Sequence, residues 1–401
     1  MPAPKTISAP RDRTIIVAIL VLAVALRIAA AMLWPDQNFP DAAGYRSSGL
    51  QLWSSGQLGA SHIMPLYPAL VGLVGPGLGQ LLLDVALSTL TVWLVHILTF
   101  AIFTDRLAAH LAALGCAIYP HFVFFSLVGL TETLFIALVV AAMAAWYRGA
   151  FALAAICAVL SILTRPSMDL LAPVLVLTFA LIVHRLPWRG TGAKLVAYAL
   201  IYCALMTPWW LHNYRAYGSL VRLNLGSGEV FYLGNNPMNR TGGGIYGIDG
   251  DLKPFAMPDP IARNAALWKA GIDYVREHPG RFLQMAAVKF ARLWRPWPYT
   301  DQYQSRLTIA VSVLSFGPIA LLALVYLLRW GWRELRRIGP LVFFIGYLTG
   351  IHMVTIGSLR YRVPMEPFVI VFAAVAAARL LRSHPGLRRL TEPIAGQPTT
   401  G

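Results

Sequence analysis

The chain has 401 residues, of which 57 % are apolar and only 12 % charged, about half the charged share of an ordinary soluble domain. Its mean hydropathy is +0.62, which excludes a soluble globular enzyme, a disordered chain and a coiled coil. The apolar stretches are continuous rather than alternating, which argues against a β-barrel and for an all-α polytopic membrane protein. The net charge of +16, from 33 Lys and Arg against 17 Asp and Glu, would suggest nucleic acid in a soluble protein. Here much of it sits in short segments between apolar runs, where basic residues hold loops on the cytoplasmic side, so no nucleic-acid partner is expected. The three cysteines, Cys116, Cys157 and Cys203, all lie inside apolar runs and have neither disulfide nor metal spacing.

In chain order, Lys5, Arg11 and Arg13 precede an apolar run from Thr14 to about Trp34. It is too long for a signal-peptide core and reads as an uncleaved first span. Ten spans are predicted in all, at 14–34, 79–103, 106–121, 127–146, 149–163, 167–184, 194–210, 306–328, 338–355 and 363–381. With the N-terminus inside, the inner loops carry Arg106, Arg148, then Arg185, Arg189 and Lys194, then Arg329, Arg333, Arg336 and Arg337, and the tail adds Arg382, Arg388 and Arg389. Every inner loop is then basic. The expected organisation is an inner tail 1–13, a transmembrane core 14–210 with a first outer catalytic loop 35–78, a large outer loop 211–305, transmembrane helices 306–382 and an inner tail 383–401. The second outer loop holds 11 Lys and Arg and seven acidic residues. Within it, Ile261, Ala265, Trp268, Ile272 and Val275 repeat at helical spacing, and Pro279-Gly280 interrupts the pattern, so a helical hairpin lying on the membrane or over the spans is expected.

This topology gathers ionisable groups from distant parts of the chain at one face: Asp36, Asp41, Glu132, Arg165, Arg360 and Arg362. Such groups near membrane depth are costly and mark functional candidates. Asp41 follows Pro40 and opens a short amphipathic helix with Tyr45, Leu50 and Trp53; it is either a helix cap or a catalyst. Glu132 is either a helix N-terminal charge or a site residue. Arg165 and the Arg360-Tyr361-Arg362 turn place arginine in short outer turns, where topology disfavours it. Guanidinium can grip phosphate oxygens through paired hydrogen bonds, so an anion site is the functional reading. Arg27 is expected to snorkel or pair with an acid, and Asp84 and Asp169 to pair with buried arginine. Asp249-Gly250-Asp251 reads either as a flexible turn or as a divalent-cation site. There is no P-loop, no GxGxxG after a strand, no HExxH and no GxSxG.

In order and spacing, Pro40-Asp41-Ala42-Ala43-Gly44-Tyr45 with Pro65-Leu66-Tyr67-Pro68, then Tyr119-Pro120 and Thr131-Glu132-Thr133-Leu134, then Leu163-Thr164-Arg165-Pro166, then Thr207-Pro208-Trp209 with Asn213-Tyr214 and Gly234-Asn235-Asn236-Pro237, then Glu277-His278-Pro279-Gly280-Arg281, and finally Arg360-Tyr361-Arg362-Val363-Pro364 resemble the landmarks of the GT-C superfamily of polyprenyl-phosphate-sugar-dependent glycosyltransferases. The branch most similar is that of the protein O-mannosyltransferases and the lipid A aminoarabinose transferase. The resemblance spans about residues 15–380. It implies a GT-C-like fold, which agrees with about ten transmembrane helices and two outer loops; the basic inner loops give cytoplasmic termini and a periplasmic site, and the Ala-, Leu- and Arg-rich composition suggests a bacterial inner membrane. It implies Asp41 as catalytic base assisted by Glu132, and substrate contacts from Tyr45, Tyr67, Arg165, Arg360, Tyr361 and Arg362. Departures are His212 before Asn213-Tyr214 and Ile63-Met64 before Pro65, where many relatives carry arginine.

The implied activity is transfer of a sugar from a polyprenyl-phosphate donor to the hydroxyl of a lipid, glycan or protein acceptor. One carboxylate suffices for this, because a polyprenyl phosphate leaves as a stable anion and needs cations rather than a general acid. The one cofactor in view is a divalent cation, and Glu132 could orient either that ion or the base. The alternative is a transporter or flippase of a lipid-linked saccharide, although no internal repeat of the kind transporters carry is visible.

Overall fold

The structure, a computed structural model, describes residues 10–34, 39–244, 253–299 and 303–383. Among them every regular element is helical. The first half runs α1 Pro10–Leu33, α2 Pro40–Ser55, α3 Leu66–Val74, α4 Leu78–Phe103, α5 Arg106–Ile118, α6 Pro120–Phe125, α7 Glu132–Tyr147, α8 Phe151–Ile162 and α9 Leu171–Leu177, the last prolonged by a π-helical stretch Thr178–Val183. The second half runs α10 Trp188–Tyr217, α11 Ser227–Gly234, α12 Pro260–Glu277, α13 Pro279–Trp294, α14 Arg306–Arg329, α15 Leu335–Val354, α16 Leu359–Arg362 and α17 Glu366–Ser383.

Each of the ten expected apolar runs falls on a helix. Seven are long and apolar enough to cross a membrane: α1, α4, α9 with its flanking turns, α10, α14, α15 and the α16–α17 stretch. The others, α5, α7 and α8, have 13, 16 and 12 residues. At about 1.5 Å per residue they reach roughly 18–24 Å, short of the ~30 Å hydrocarbon core. Chain breaks explain the shortfall. α5 stops at Tyr119 in extended conformation because Pro120 starts a new helix, and residues 126–131 are irregular until Glu132 opens α7. Irregular backbone at membrane depth is tolerated where protein surrounds it or where it lines a cavity. α10 instead begins before residue 194 and continues past 210, from Pro187 to the left-handed Gly218 (φ 64°). Its added turns are polar, so hydropathy alone stops short of them.

The core is organised around α17, which packs on α5 and α14. The α5 face Ala108, Ala109, Ala112, Ala113 and Cys116 is fully buried, and small side chains let helices approach closely where no hydrophobic drive exists between spans. Phe372 of α17 stacks on Tyr326 of α14 at 5.3 Å. Outward, α14 presents Leu307, Leu314, Leu321 and Leu328 at seven-residue spacing, all highly exposed, the pattern of a face turned to lipid. Arg27 neither snorkels nor meets an acid: wholly buried, it donates to Ser88 Oγ (2.7 Å), Ala23 O (2.9 Å) and Ala117 O (3.1 Å). It thereby satisfies a carbonyl freed where α5 ends.

Two segments outside the spans matter for the site. α2 and α3 form a tight hairpin. A Cβ on Gly49 would lie 2.3 Å from Pro68 O and one on Gly72 2.4 Å from Gly49 O, so the backbones touch. Trp53 Nε1 donates to Ala69 O at 2.8 Å across the same contact. The other segment is α11–α13. α12 and α13 are divided at His278, ahead of Pro279, as expected, but the packed face of α12 is rotated from the expected one. Leu267 and Gly271 are buried while Ile272 is exposed. The cause is Phe231, which stacks on Trp268 at 4.5 Å and fills the space a side chain on Gly271 would need. The segments are tied together, with Leu225 N donating to Ser61 O (2.8 Å), Asn224 Nδ2 to His62 O (2.7 Å) and Leu58 N to His212 Nε2 (3.2 Å).

Candidate functional site

The site is assembled from breaks in helices. Asp41 lies in the first turn of α2 behind Pro40, and no side chain caps that helix. The cap reading therefore gives way: the Asp41 carboxylate reaches across to Arg360 Nη1 at 2.5 Å. Glu132 is the first residue of α7 and is wholly buried. Arg165 sits in extended conformation between α8 and the turn opened by Pro166, since a residue before proline is pushed out of the helical region. Leu66 N at the start of α3 donates to Leu163 O at 3.0 Å, which brings the α2–α3 hairpin beside this turn. Arg360 belongs to α16, the single turn between α15 and α17.

These four side chains meet. Arg165 Nη1 is 2.5 Å from Glu132 Oε1. Arg360 Nε also donates to Glu132 Oε1, and its Nη2 lies 3.4 Å from Oε2. Glu132 thus receives two guanidiniums, and Arg360 spans from Glu132 to Asp41. A buried carboxylate is tolerable only when paired and hydrogen-bonded in this way. Its depth contrasts with Asp41, whose side chain is 49 % exposed and accepts no other hydrogen bond among the described residues.

The aromatic residues orient the cations. The Tyr361 ring lies flat against the His352 imidazole at 4.3 Å, and the Arg165 guanidinium sits 5.5 Å from the Tyr361 centroid and 5.7 Å from Phe135. Cation–π contact of this kind restrains a guanidinium without neutralising it. Tyr45 approaches Tyr67 edge to face at 5.7 Å. Burial pushes the Tyr45 phenol upward, with Arg360 acting in the opposite sense.

Two expected substrate contacts lie elsewhere. Tyr67 is fully buried beneath α2, where its hydroxyl donates to Asp84 Oδ2 (2.8 Å) and accepts from Gln80 Nε2 (3.1 Å). Burial raises this phenol well above its ordinary range. Arg362 is also fully buried and turns away from Arg360. It pairs with Glu366 (2.7 Å), donates to Arg295 O (2.7 Å), and lies over the Phe316 ring at 3.7 Å. Glu366 in turn meets His121 Nδ1 at 3.2 Å, and His121 Nε2 meets Ser312 Oγ at 3.1 Å. Helical spacing explains the divergence: residues two apart face opposite sides. Asp84 pairs with a tyrosine rather than a buried arginine, and Asp169 pairs at 2.6 Å with Arg222, a residue half exposed in the loop after α10. Asp36 and Asp249-Gly250-Asp251 lie outside the described residues.

Arg46, Gln80 and His352 were not expected here from the sequence. Arg46 stands five residues after Asp41 in the same short helix, and His352 lies in the last turn of α15, eight residues before Arg360; their positions in these elements were the available signals. Among the described residues no group of three or more His, Cys, Asp or Glu could hold a metal ion. Asp41 and Glu132 are joined by a guanidinium, so they do not form a cation site as they stand.

The sequence matches no protein-family model and no curated protein. The fold is similar to solved structures of the oligosaccharyltransferase of Archaeoglobus fulgidus. The apo form aligns with a TM-score of 0.61 at 14 % identity, over 97 % of this chain and 52 % of that one. A form tethered to an acceptor peptide containing an NVT sequon gives 0.59 at 15 %, over 96 % and 51 %. A complex with Zn and sulfate gives 0.55 at 15 %, over 92 % and 49 %. The chain spans about half the length of these proteins. At this identity the likeness establishes the fold, a GT-C-like helical membrane fold.

Proposed function

We propose that the chain is a membrane glycosyltransferase that moves a sugar from a polyprenyl-phosphate donor to an acceptor hydroxyl at the outer face of a bacterial inner membrane, with both termini cytoplasmic. The observation that carries this reading is the Asp41–Arg360–Glu132–Arg165 cluster, drawn from four distant parts of the chain to one place in a GT-C-like fold.

Asp41 takes the base role. Its half-exposed carboxylate keeps one oxygen free for an acceptor hydroxyl while Arg360 holds the other. The acceptor oxygen attacks the anomeric carbon as Asp41 removes its proton, the bond from that carbon to the phosphate oxygen breaks, and the polyprenyl phosphate departs with the electron pair. Attack opposite the leaving group gives inversion. Arg165 and Arg360 supply positive charge where the phosphate charge develops, and no proton needs to be donated to the leaving group. Glu132 orients both guanidiniums rather than touching substrate. Arg362 and Tyr67, being fully buried, serve the scaffold, and Tyr361 holds Arg165. The acceptor is a lipid, a glycan or a protein; the tethered peptide belongs to the archaeal protein and its use here would be a shared feature of the fold.

The test is mass spectrometry of membrane lipids and envelope glycans in cells that lack the gene, complemented with wild type or with Asp41→Asn. The deletion is expected to accumulate a polyprenyl-linked monosaccharide and lose a glycan modification. Wild type restores both, and D41N restores neither while reaching the membrane in normal amount. Restoration by D41N removes Asp41 from the mechanism. A lipid-linked saccharide that moves between leaflets without change in mass would instead establish a transporter.

A further inference from the structure

The end of the helix bundle opposite the Asp41 cluster collects positive charge. α7 begins at Glu132 in the cluster and ends at Tyr147, roughly 22 Å away at about 1.5 Å per residue. There Tyr147 Oη donates to Arg337 O at 2.7 Å, and the Arg336 guanidinium donates from Nε to Ile182 O (2.7 Å) and from Nη2 to Val183 O (3.3 Å). His184 Nε2 donates to Trp146 O at 2.7 Å, its ring meets Phe151 edge to face at 5.4 Å, and Lys194 Nζ lies 5.3 Å from the centre of the same Phe151 ring. These contacts join the end of α7, the start of α8, the end of the π-helical stretch, the start of α10 and the start of α15 at one junction.

Five cations belong to this junction: Arg148, Arg185, Lys194, Arg336 and Arg337. Lys194 is half-buried and the four arginines are exposed. Among the described residues none of the five is paired with a carboxylate. Glu334, two residues before Arg336, is already taken by Arg379 Nη2 and by Tyr326 Oη, each at 2.7 Å. Cations elsewhere on the same expected side behave differently: Arg106 meets Asp12 and Arg382 meets Asp105, both at 2.5 Å. The rule of sidedness asks for basic inner loops, but it does not ask for unpaired cations from three separate loops to be tied together. Like charges brought together repel, so their counter-charge has to come from outside the chain.

Neighbouring residues fit that counter-charge to a lipid headgroup. Trp188 and Trp332, three residues after Arg185 and four before Arg336, are 76 % and 60 % exposed, and exposed tryptophan at the end of a span sits at headgroup level. Arg185 itself holds φ +53°, left-handed backbone that glycine adopts more readily, where Leu186 N closes the helix end onto Ala180 O at 2.8 Å. A phosphodiester offers one negative charge and acceptor oxygens that suit guanidinium. A headgroup with two phosphates delivers two such charges for the immobilisation of one lipid, so it gains over a headgroup with one. Basic pockets between spans on the cytoplasmic side take such lipids.

We propose that this junction binds a phospholipid whose headgroup carries two phosphates, of the cardiolipin type, at the inner leaflet. Arg148, Arg185 and Arg337 are the exposed contacts, while Arg336 and Lys194, held by backbone carbonyls and by an aromatic ring, add fixed positive charge. The shared chemistry is a pair of linked phosphates, and the lipid rather than a soluble diphosphate is the assigned source, because the exposed tryptophans set the cations at headgroup level. The assignment does not depend on the transferase reading.

The test uses the full-length protein in a neutral detergent and measures retention of cardiolipin by native mass spectrometry. Phosphatidylglycerol at equal phosphate and inorganic pyrophosphate are the companions. Wild type is expected to retain cardiolipin in preference to phosphatidylglycerol, and pyrophosphate is expected to displace it only in large excess. The double variant Arg185→Gly with Arg337→Gln removes two cations, suits the backbone at 185 and leaves the Tyr147 contact to Arg337 O in place. It is expected to weaken cardiolipin about tenfold or more, the scale of one lost charge-assisted pair. Arg106→Gln, at a cation already paired with Asp12, is expected to leave retention unchanged. Should the double variant fail to fold, R185G and R337Q singly carry the test, each expected to weaken cardiolipin. Equal retention by wild type and the double variant overturns the assignment, as does an equal loss in R106Q, which would mark a general effect of net charge. Phosphatidylglycerol retained as strongly as cardiolipin overturns the two-phosphate headgroup, and pyrophosphate competing at the concentration of the lipid overturns the lipid as source.

Discussion

At the scale of single residues, two buried side chains show how charge is handled in opposite ways. Glu132 has no exposure and survives because two guanidiniums reach it. Lys289 of α13 is also fully buried, but among the described residues no carboxylate meets it; it donates to Asn235 Oδ1 (3.1 Å) and Val354 O (3.3 Å). Burial pulls its amine down from 10.5 to about 8. The folded protein therefore releases this proton before the unfolded chain does. Between about pH 8 and pH 10.5 the unfolded state holds more protons, so the contribution of Lys289 to stability rises with pH across that window and is flat and unfavourable below it. The expected result is that the melting temperature of wild type, relative to Lys289→Met, improves from pH 7.5 to pH 10. Parallel melting curves of the two proteins over that range would show that Lys289 does not titrate in this way.

At the scale of elements, much of the site was legible in the sequence. The ten helices follow from apolar runs, and the break before Pro120, the turn at Pro166 and the division ahead of Pro279 follow from proline chemistry. Arg165 and Arg360 were legible because arginine in a short outer turn contradicts topology, whereas Asp41 and Glu132 were legible only as acids near membrane depth, each with a helix-terminus reading beside the functional one. The sense in which a side chain points was not. Arg360 and Arg362 share one turn, yet one meets Glu132 and the other meets Glu366; only packing against α7 and α14 separates them. The rotated face of α12 has the same origin, since Phe231 comes from a different element. The approach of α2 to α3 was also hidden, because glycine at 49 and 72 gives no periodic signal. It has a direct consequence: Gly72→Ala places a methyl 2.4 Å from Gly49 O and is expected to cost about 1–3 kcal/mol by forcing the hairpin apart. Gly280→Ala, with nothing within 4 Å, serves as the control. Thermal unfolding in detergent distinguishes them, and equal melting of the two variants would contradict the close contact.

At the scale of the molecule, the proposed shared site requires α2 and α16 on one side of the bilayer. That placement follows from the parity of the ten expected spans, seven of which are helices long and apolar enough to cross a membrane. A wrong parity by one span between α2 and α15 would separate Asp41 from Arg360, which the fold joins at 2.5 Å. Impermeant-maleimide labelling of intact cells, on a background with Cys116, Cys157 and Cys203 replaced by alanine, measures this directly. Ala43→Cys beside Asp41 and Val354→Cys at the end of α15 are expected to react from outside, and Trp332→Cys, in the basic turn between α14 and α15, only after permeabilisation. Positions 43 and 354 labelling from opposite sides of the membrane would contradict the shared site.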